Sequence, residues 1–168
     1  SGRADVAGRA LSRSRSTQPL VEAWTASVDS GLAIARVSPI VRRARFDLER
    51  QRTMLAGLDL ATRNLRIVSR RIEWTLRDGR PRPAIADVVA RTAAAAQVLE
   101  DALRDVAQQP VARQGFTEIA RHLEPGRILP DGPPGDRRTL GAFRPYLVDL
   151  LTATGVELDD ARALLPGD

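Results

Sequence analysis

The stretch from Leu48 to Leu76, LERQRTMLAGLDLATRNLRIVSRRIEWTL, decides the fold. Leu48, Leu55, Leu58, Leu65, Ile72 and Leu76 recur at sevens, threes and fours, the spacing that stacks side chains on one face of an α-helix laid against partners in an antiparallel bundle. Upstream, Ser38 and Pro39 form an N-cap and first-turn pair. Downstream, Gly79 is a C-cap, and Pro81 and Pro83 force a stop. The helix is therefore expected from about Ser38 to Asp78. At about 1.5 Å per residue it would be roughly 60 Å long, more than a compact domain of this size needs, so a protruding end or a kink near Gly57 is expected.

Helical periodicity continues on both sides of this stretch, and strand alternation is sustained nowhere. Before it, Ala4, Val6, Ala7, Ala10 and Leu11 suggest a first helix. Leu20, Val21, Trp24, Val28, Leu32 and Ala35 mark one face of a second helix over Gln18 to Val37, with Pro19 in its first turn. After it, a helix from about Pro83 to Asp105 is Ala-rich at Ala93 to Ala96, where small side chains admit a close neighbour. Pro110 to Leu123 makes another. Pro125 to Asp136 holds four Pro and three Gly in twelve residues and reads as the one substantial loop. Arg137 to Thr154 is a further helix capped by Gly155, and a short terminal helix over Ala161 to Leu165 ends at Pro166. The fold class is all-α: an antiparallel bundle of about five to seven helices in a single domain spanning residues 1–168.

Composition narrows the chemistry. The chain is 43% hydrophobic and has no cysteine, which excludes a disulfide framework, a thiolate zinc site, an iron–sulfur cluster and a cysteine nucleophile. All 26 basic residues are Arg, a bias that a GC-rich genome explains. The formal charge of +5 is unevenly placed: residues 1–82 hold 17 Arg against 8 acids, and residues 83–168 hold 9 Arg against 13 acids. An anionic partner for the first half follows, whether membrane surface, nucleic acid or the acidic half of the same fold. The longest charge-free run is eight residues, Thr92 to Leu99, too short for the roughly 20 needed to cross a bilayer. Ser1 and Gly2 lead straight into Arg-rich sequence without a signal-peptide core, as in a residue pair left by expression or a piece cut from a longer protein.

No nucleophile elbow, phosphate-binding loop, His pair or EF-hand pattern is present, so neither catalysis, a cofactor nor a metal is expected. His122 falls near a helix C-terminus, where a cation is favoured, and Asp159 and Asp160 fall at a helix start, where carboxylates are favoured. The most informative charged feature is an Arg stripe on the long helix: Arg42, Arg45, Arg52, Arg63, Arg66, Arg70 and Arg77. Glu49, Asp59 and Glu73 punctuate it at intrahelical ion-pair spacings, Glu49 to Arg45 and Arg52, Asp59 to Arg63, and Glu73 to Arg70 and Arg77. One reading is a solvated ladder. The other is contact with an anion through Arg63, Arg66, Arg70, Arg71 and Trp74, in which Arg pairs a carboxylate and the indole stacks on an aromatic ring; Trp74 at that spacing also suits a core position. Nucleic-acid binding ranks third, because no groove-reading element accompanies the charge.

Several short stretches, taken in order, resemble a known family. They are Ala10-Leu11, Ser16-Thr17-Gln18-Pro19-Leu20-Val21, Ala35-Arg36-Val37-Ser38-Pro39 and Leu58-Asp59-Leu60-Ala61-Thr62-Arg63-Asn64-Leu65-Arg66, followed by Leu147-Val148-Asp149-Leu150-Leu151, Thr154-Gly155 and Ala161-Arg162-Ala163-Leu164-Leu165-Pro166. Together they look like the soluble part of actinobacterial FUSC proteins, the fusaric acid resistance or aromatic acid exporter family. The resemblance implies a helical cytoplasmic domain of an integral membrane efflux protein, with a role in assembly or regulation. Its partners would be the membrane part of the same polypeptide, anionic lipid and a second copy of the chain. Membrane helices preceding Ser1 would make Arg3, Arg9, Arg13 and Arg15 juxtamembrane cations on the cytoplasmic face of the plasma membrane. The alternatives are a module sensing aromatic acids through Arg70, Arg71 and Trp74, and an independent nucleic-acid-binding protein.

Overall fold

A computed structural model of the chain describes Arg9, Ser12 and residues 18–37 and 45–167; all regular structure among these is helical. The order is α1 (Gln18–Val37), α2 (Arg45–Thr75), α3 (Pro83–Asp101), α4 (Gln109–His122), the single turn α5 (Pro125–Ile128), α6 (Pro134–Gly141), α7 (Phe143–Ala153) and α8 (Leu158–Ala163). The expected all-α bundle with one long helix is what forms. Apart from Arg9, which is helical, the expected helix over Ala4 to Leu11 lies outside the described residues, as do the cap at Ser38 and Pro39 and Arg3, Arg13, Arg15 and Arg42.

The centre of the bundle is α7. Its sequence, FRPYLVDLLTA, has no continuous polar face, and a helix that is apolar nearly all round is stable only when surrounded. Phe143, Tyr146, Leu147, Val148, Leu150, Leu151 and Ala153 are all buried. Around it α2, α4 and α8 pack, and α3 lies against α4. Phe116, Leu123, Leu140, Leu147 and Leu151 fill the middle. The Ala-rich part of α3 admits a close neighbour, as its composition predicts: a Cβ on Gly115 of α4 would stand 3.1 Å from that of Ala95.

On α2 the deepest row is Met54, Ala61, Val68 and Thr75, at sevens. Leu58, Leu65 and Ile72 flank it and are half-buried. Beside this row, at Gly57, α7 comes too near for any side chain. A Cβ on Gly57 would lie 2.5 Å from the backbone nitrogen of Ala153. Gly57 therefore serves helix contact, and α2 runs through it as one continuous helix. Beyond Thr75 a tighter turn, Leu76–Asp78, ends at Gly79, whose φ of 71° is left-handed and whose N–H bonds Leu76 O at 3.0 Å.

α1 runs antiparallel along the first half of α2. Val28 and Leu32 enclose Leu55, with Trp24 and Leu48 beside them, and Arg52 reaches Asp29 at 3.3 Å.

Further boundaries differ from expectation, two of them for a local reason. The helix expected over Arg137–Thr154 divides into α6 and α7, because Pro145 cannot donate to Gly141 O and its ring crowds that carbonyl; α6 ends at Gly141. α3 stops at Asp101, short of Asp105. The Asp105 carboxylate instead accepts from Ala107 N at 3.0 Å, a local bond that competes with helix continuation. Within the expected loop, Pro125–Ile128 closes one helical turn.

Tyr146 is the chain's single tyrosine, and burial pushes its hydroxyl from the ordinary 10.0 up to about 12. Its folded-state value is raised, so the associated stability is fully present below pH 10 and is lost as pH rises toward 12. Phenolate absorption of the folded protein should appear near pH 12 and coincide with alkaline loss of helix signal. Titration at the ordinary value while the helices persist would contradict this burial.

Candidate functional site

The arginine-bearing side of α2 faces away from α7. Arg45 pairs with Glu49 at 2.7 Å and Arg63 with Asp59 at 2.8 Å, two of the intrahelical pairs their spacing predicts. Such exposed pairs contribute a few tenths of a kcal/mol, roughly. Arg52 takes Asp29 of α1 instead of Glu49. Glu73 pairs with neither Arg70 nor Arg77 within 4.0 Å. The ladder is thus closed in the first half of α2 and open in the second.

Arg66 is half-buried, whereas Arg63, Arg70, Arg71 and Trp74 are exposed. Trp74 is 61% exposed, so it is no core residue. One ring edge rests on α6, where a Cβ on Gly135 would stand 3.5 Å from its Cζ3. Arg63, Arg70, Arg71 and Trp74 therefore share an outward helix face, and Arg66 is set back from it.

Two residues of this face escape a reading based on charge. Leu60 and Ile67 are 49% and 47% exposed, and with Trp74 they form a row at sevens. Arg63, Arg70 and Arg77 lie three residues after each member of that row, and Asn64 and Arg71 lie four after Leu60 and Ile67. The signal was in the sequence as a second heptad series, set apart from the leucine seam.

Three cavities among the described residues lie elsewhere. An apolar cleft of about 210 Å³ between α2, α3 and α7 is lined by Leu58, Leu65, Leu99, Leu103, Tyr146 and Leu150, among others. A wider groove of about 540 Å³ runs between Arg52, Leu60, Asp149, Glu157 and Leu158. A third, of about 170 Å³, adjoins Arg82 and Asp136. Arg70, Arg71 and Trp74 line none of the three. An aromatic acid bound by them would sit on an open helix surface with little of its area enclosed, unlike ligands in concave sites.

Two buried carboxylates serve the packing. Asp149 is 8% exposed and accepts from Asn64 Nδ2 at 2.6 Å, which gives the Asn64 of the resembling stretch a structural task. Burial pushes the Asp149 carboxyl above its ordinary 3.8, and the Asn64 bond opposes that rise. With the folded value raised, the stability linked to its protonation is present below 3.8 and lost as pH rises through the folded value. Asp149→Asn keeps an acceptor for Asn64 without the buried charge. It should match or exceed the parent in denaturant midpoint at neutral pH, with the gap closing in acid; a gap that widens in acid would contradict the assignment. Asp136 is likewise buried and bonds Arg82 Nε at 2.6 Å.

His122 ends α4, its Nδ1 2.7 Å from Glu118 O. Asp159 and Asp160 open α8, and Asp159 pairs with Arg162 at 3.2 Å. Both follow the helix-terminus placement read from the sequence. Among the described residues no group of three His, Asp or Glu side chains is arranged to hold a metal ion, and no helix is long and apolar enough to cross a membrane.

No known family, curated protein or solved structure matches this chain.

Proposed function

We propose that the chain is the helical cytoplasmic part of a FUSC-type membrane exporter of aromatic carboxylic acids, and that it serves assembly or regulation of the membrane part. The observation that carries this reading is the ordered series of short resembling stretches from Ala10 to Pro166. The charge distribution supports it independently: the surplus of Arg lies in residues 1–82, and a membrane segment ahead of Ser1 would place Arg3, Arg9, Arg13 and Arg15 where cytoplasmic cations are favoured. Arg9 is helical and exposed, as a headgroup contact requires.

The test is fractionation of the protein expressed from its complete gene. The product should sediment with membranes and resist extraction by high salt and alkaline carbonate, as a polypeptide with spanning helices does. Recovery of the whole product in the soluble fraction overturns the proposal.

A further inference from the structure

The second half of α2 carries a face that the packing leaves uncovered. Leu60, Ile67 and Trp74 project from it in a single row, 49%, 47% and 61% exposed. The row spans about 21 Å at about 1.5 Å per residue. Cations border it on both sides, Arg63, Arg70 and Arg77 along one edge and Arg71 along the other, and all four are exposed. Asp59 neutralises Arg63. Among the described residues no carboxylate lies within 4.0 Å of Arg70, Arg71 or Arg77. The nearby acids are otherwise engaged or turned aside: Asp78 holds Arg82 at 2.7 Å, and Glu73 is half-buried.

Three occupants suit an exposed apolar row in general, and the residues discriminate among them. A second copy of the same face is disfavoured by charge. Antiparallel pairing about Ile67 sets Arg63 of one copy against Arg71 of the other, and parallel pairing sets each Arg beside its own equivalent. A partner helix in a coiled-coil seam needs two alternating apolar rows. Here the positions three and four residues after Leu60 and Ile67 are Arg63, Asn64, Arg70 and Arg71, so the second row is missing. An anionic bilayer surface fits what remains. It accepts a single row of apolar side chains at the acyl boundary, an indole at headgroup depth and flanking cations whose stems lie along apolar surface while their heads meet phosphate.

We infer that the Leu60–Ile67–Trp74 face of α2, with Arg70, Arg71 and Arg77, docks the domain flat against an anionic lipid bilayer. The deepest contact is at Ile67 and Trp74. Toward Leu60 the groove rim carries Glu157, which holds that end farther from the headgroups. This inference deepens the membrane reading above by naming the surface, yet it rests on α2 alone and needs no spanning segment.

The experiment uses the 168-residue chain with vesicles of phosphatidylcholine, with and without an equal part of phosphatidylglycerol. Co-sedimentation should require phosphatidylglycerol and weaken with added salt. The chain has two tryptophans, so in a Trp24→Phe background Trp74 reports alone, and its emission should shift to the blue on binding. Arg70→Ala and Arg71→Ala should each lower partitioning about fivefold, and Ile67→Ser should lower it further with an unchanged melting curve, since its side chain is exposed. Absence of co-sedimentation at low salt overturns the inference. So does binding by these variants equal to the parent, which would locate the contact elsewhere, or self-association abolished by Ile67→Ser, which would make the face a protein interface. Because Trp24 packs in the α1–α2 contact, the Arg variants are made in the native sequence and read by sedimentation. Loss of vesicle binding alongside membrane retention of the complete gene product would remove this docking face and leave the exporter reading standing.

Discussion

Gly57→Ala is expected to lower the folding free energy by about 3 kcal/mol, near the upper end of the usual cost of overpacking. The added methyl would lie 2.5 Å from Ala153 N, 2.7 Å from Ala153 Cα and 2.8 Å from Ala153 Cβ. Two of those three atoms are main chain, so no rotamer change relieves the clash; α2 and α7 must separate along their shared contact. The helix-propensity gain from replacing Gly, about 1 kcal/mol, offsets only part of the loss. Two controls make the expectation specific. Ala153→Gly should fail to rescue the variant, because it removes the farthest of the three contacts. Gly141→Ala, where a Cβ meets nothing within 4 Å, should instead be neutral or stabilise by about 0.5 kcal/mol. Denaturant midpoints measure all three, and an unchanged midpoint in Gly57→Ala would mean that the two helices do not approach this closely.

The same residue shows how far the sequence carries a fold of this kind. Periodicity located α2 and named Leu58, Leu65 and Ile72 correctly as core-facing. It could not rank depth, because hydrophobicity scales put Leu above Ala and Gly, whereas the closest helix contact selects the smallest side chains. Gly57, which the sequence marks only as a place for a kink, is the point of closest contact with Ala153. The split at Gly141 was legible in principle, since Pro145 forbids the bond that would continue the helix. The Thr75–Thr139 hydroxyl contact at 2.9 Å and the Asn64–Asp149 bond join residues 64 and 85 positions apart, and no local pattern announces such partners. For the candidate surface, the Arg residues stood out by charge, and their spacing recovered two correct ion pairs. Which Arg stay unpaired depends on where α1 ends along α2, a tertiary fact: α1 supplies Asp29 to Arg52, whereas Arg70 and Arg77 find no such acid among the described residues.

These features divide α2 into three sides with different tasks. One side, built on Gly57 and Ala61, receives α7. The second, at Leu48 and Leu55, receives α1. The third keeps its apolar row and its cations exposed. Exposed Leu, Ile and Trp at one face of a long helix are a standing solubility cost, and the Arg that border them moderate it. Ile67 and Trp74 stay 47% and 61% exposed, and that exposure is what the proposed bilayer contact would cover.

The second large effect is expected at Arg82. Its guanidinium gathers three acceptors: Asp136 Oδ2 at 2.6 Å from Nε, Asp78 Oδ2 at 2.7 Å from Nη2, and Arg80 O at 2.9 Å from Nη1. It thereby ties the end of α2 and the start of α3 to the first turn of α6. The Arg82 side chain is 14% exposed and that of Asp136 is 8% exposed, so removing the cation strands a carboxylate with little water. Arg82→Ala should cost about 3 kcal/mol, at the low end of the range for breaking a buried pair, because the site lies at the rim of a cleft that admits some solvent. Asp136→Asn should cost less, since the amide oxygen still accepts from Nε and Asp78 remains. Asp78→Asn should cost least, Asp78 being exposed. The acid dependence follows from Asp78, which the Arg82 hydrogen bond holds below its ordinary 3.8. With the folded value depressed, this contribution is present above 3.8 and is lost as pH falls through the folded value. Arg82→Ala should therefore destabilise most at neutral pH, and the difference from the parent should narrow in acid. Denaturation of the three variants at neutral and acid pH tests the order; equal losses for Arg82→Ala and Asp78→Asn would show that Asp136 is not held by this arginine.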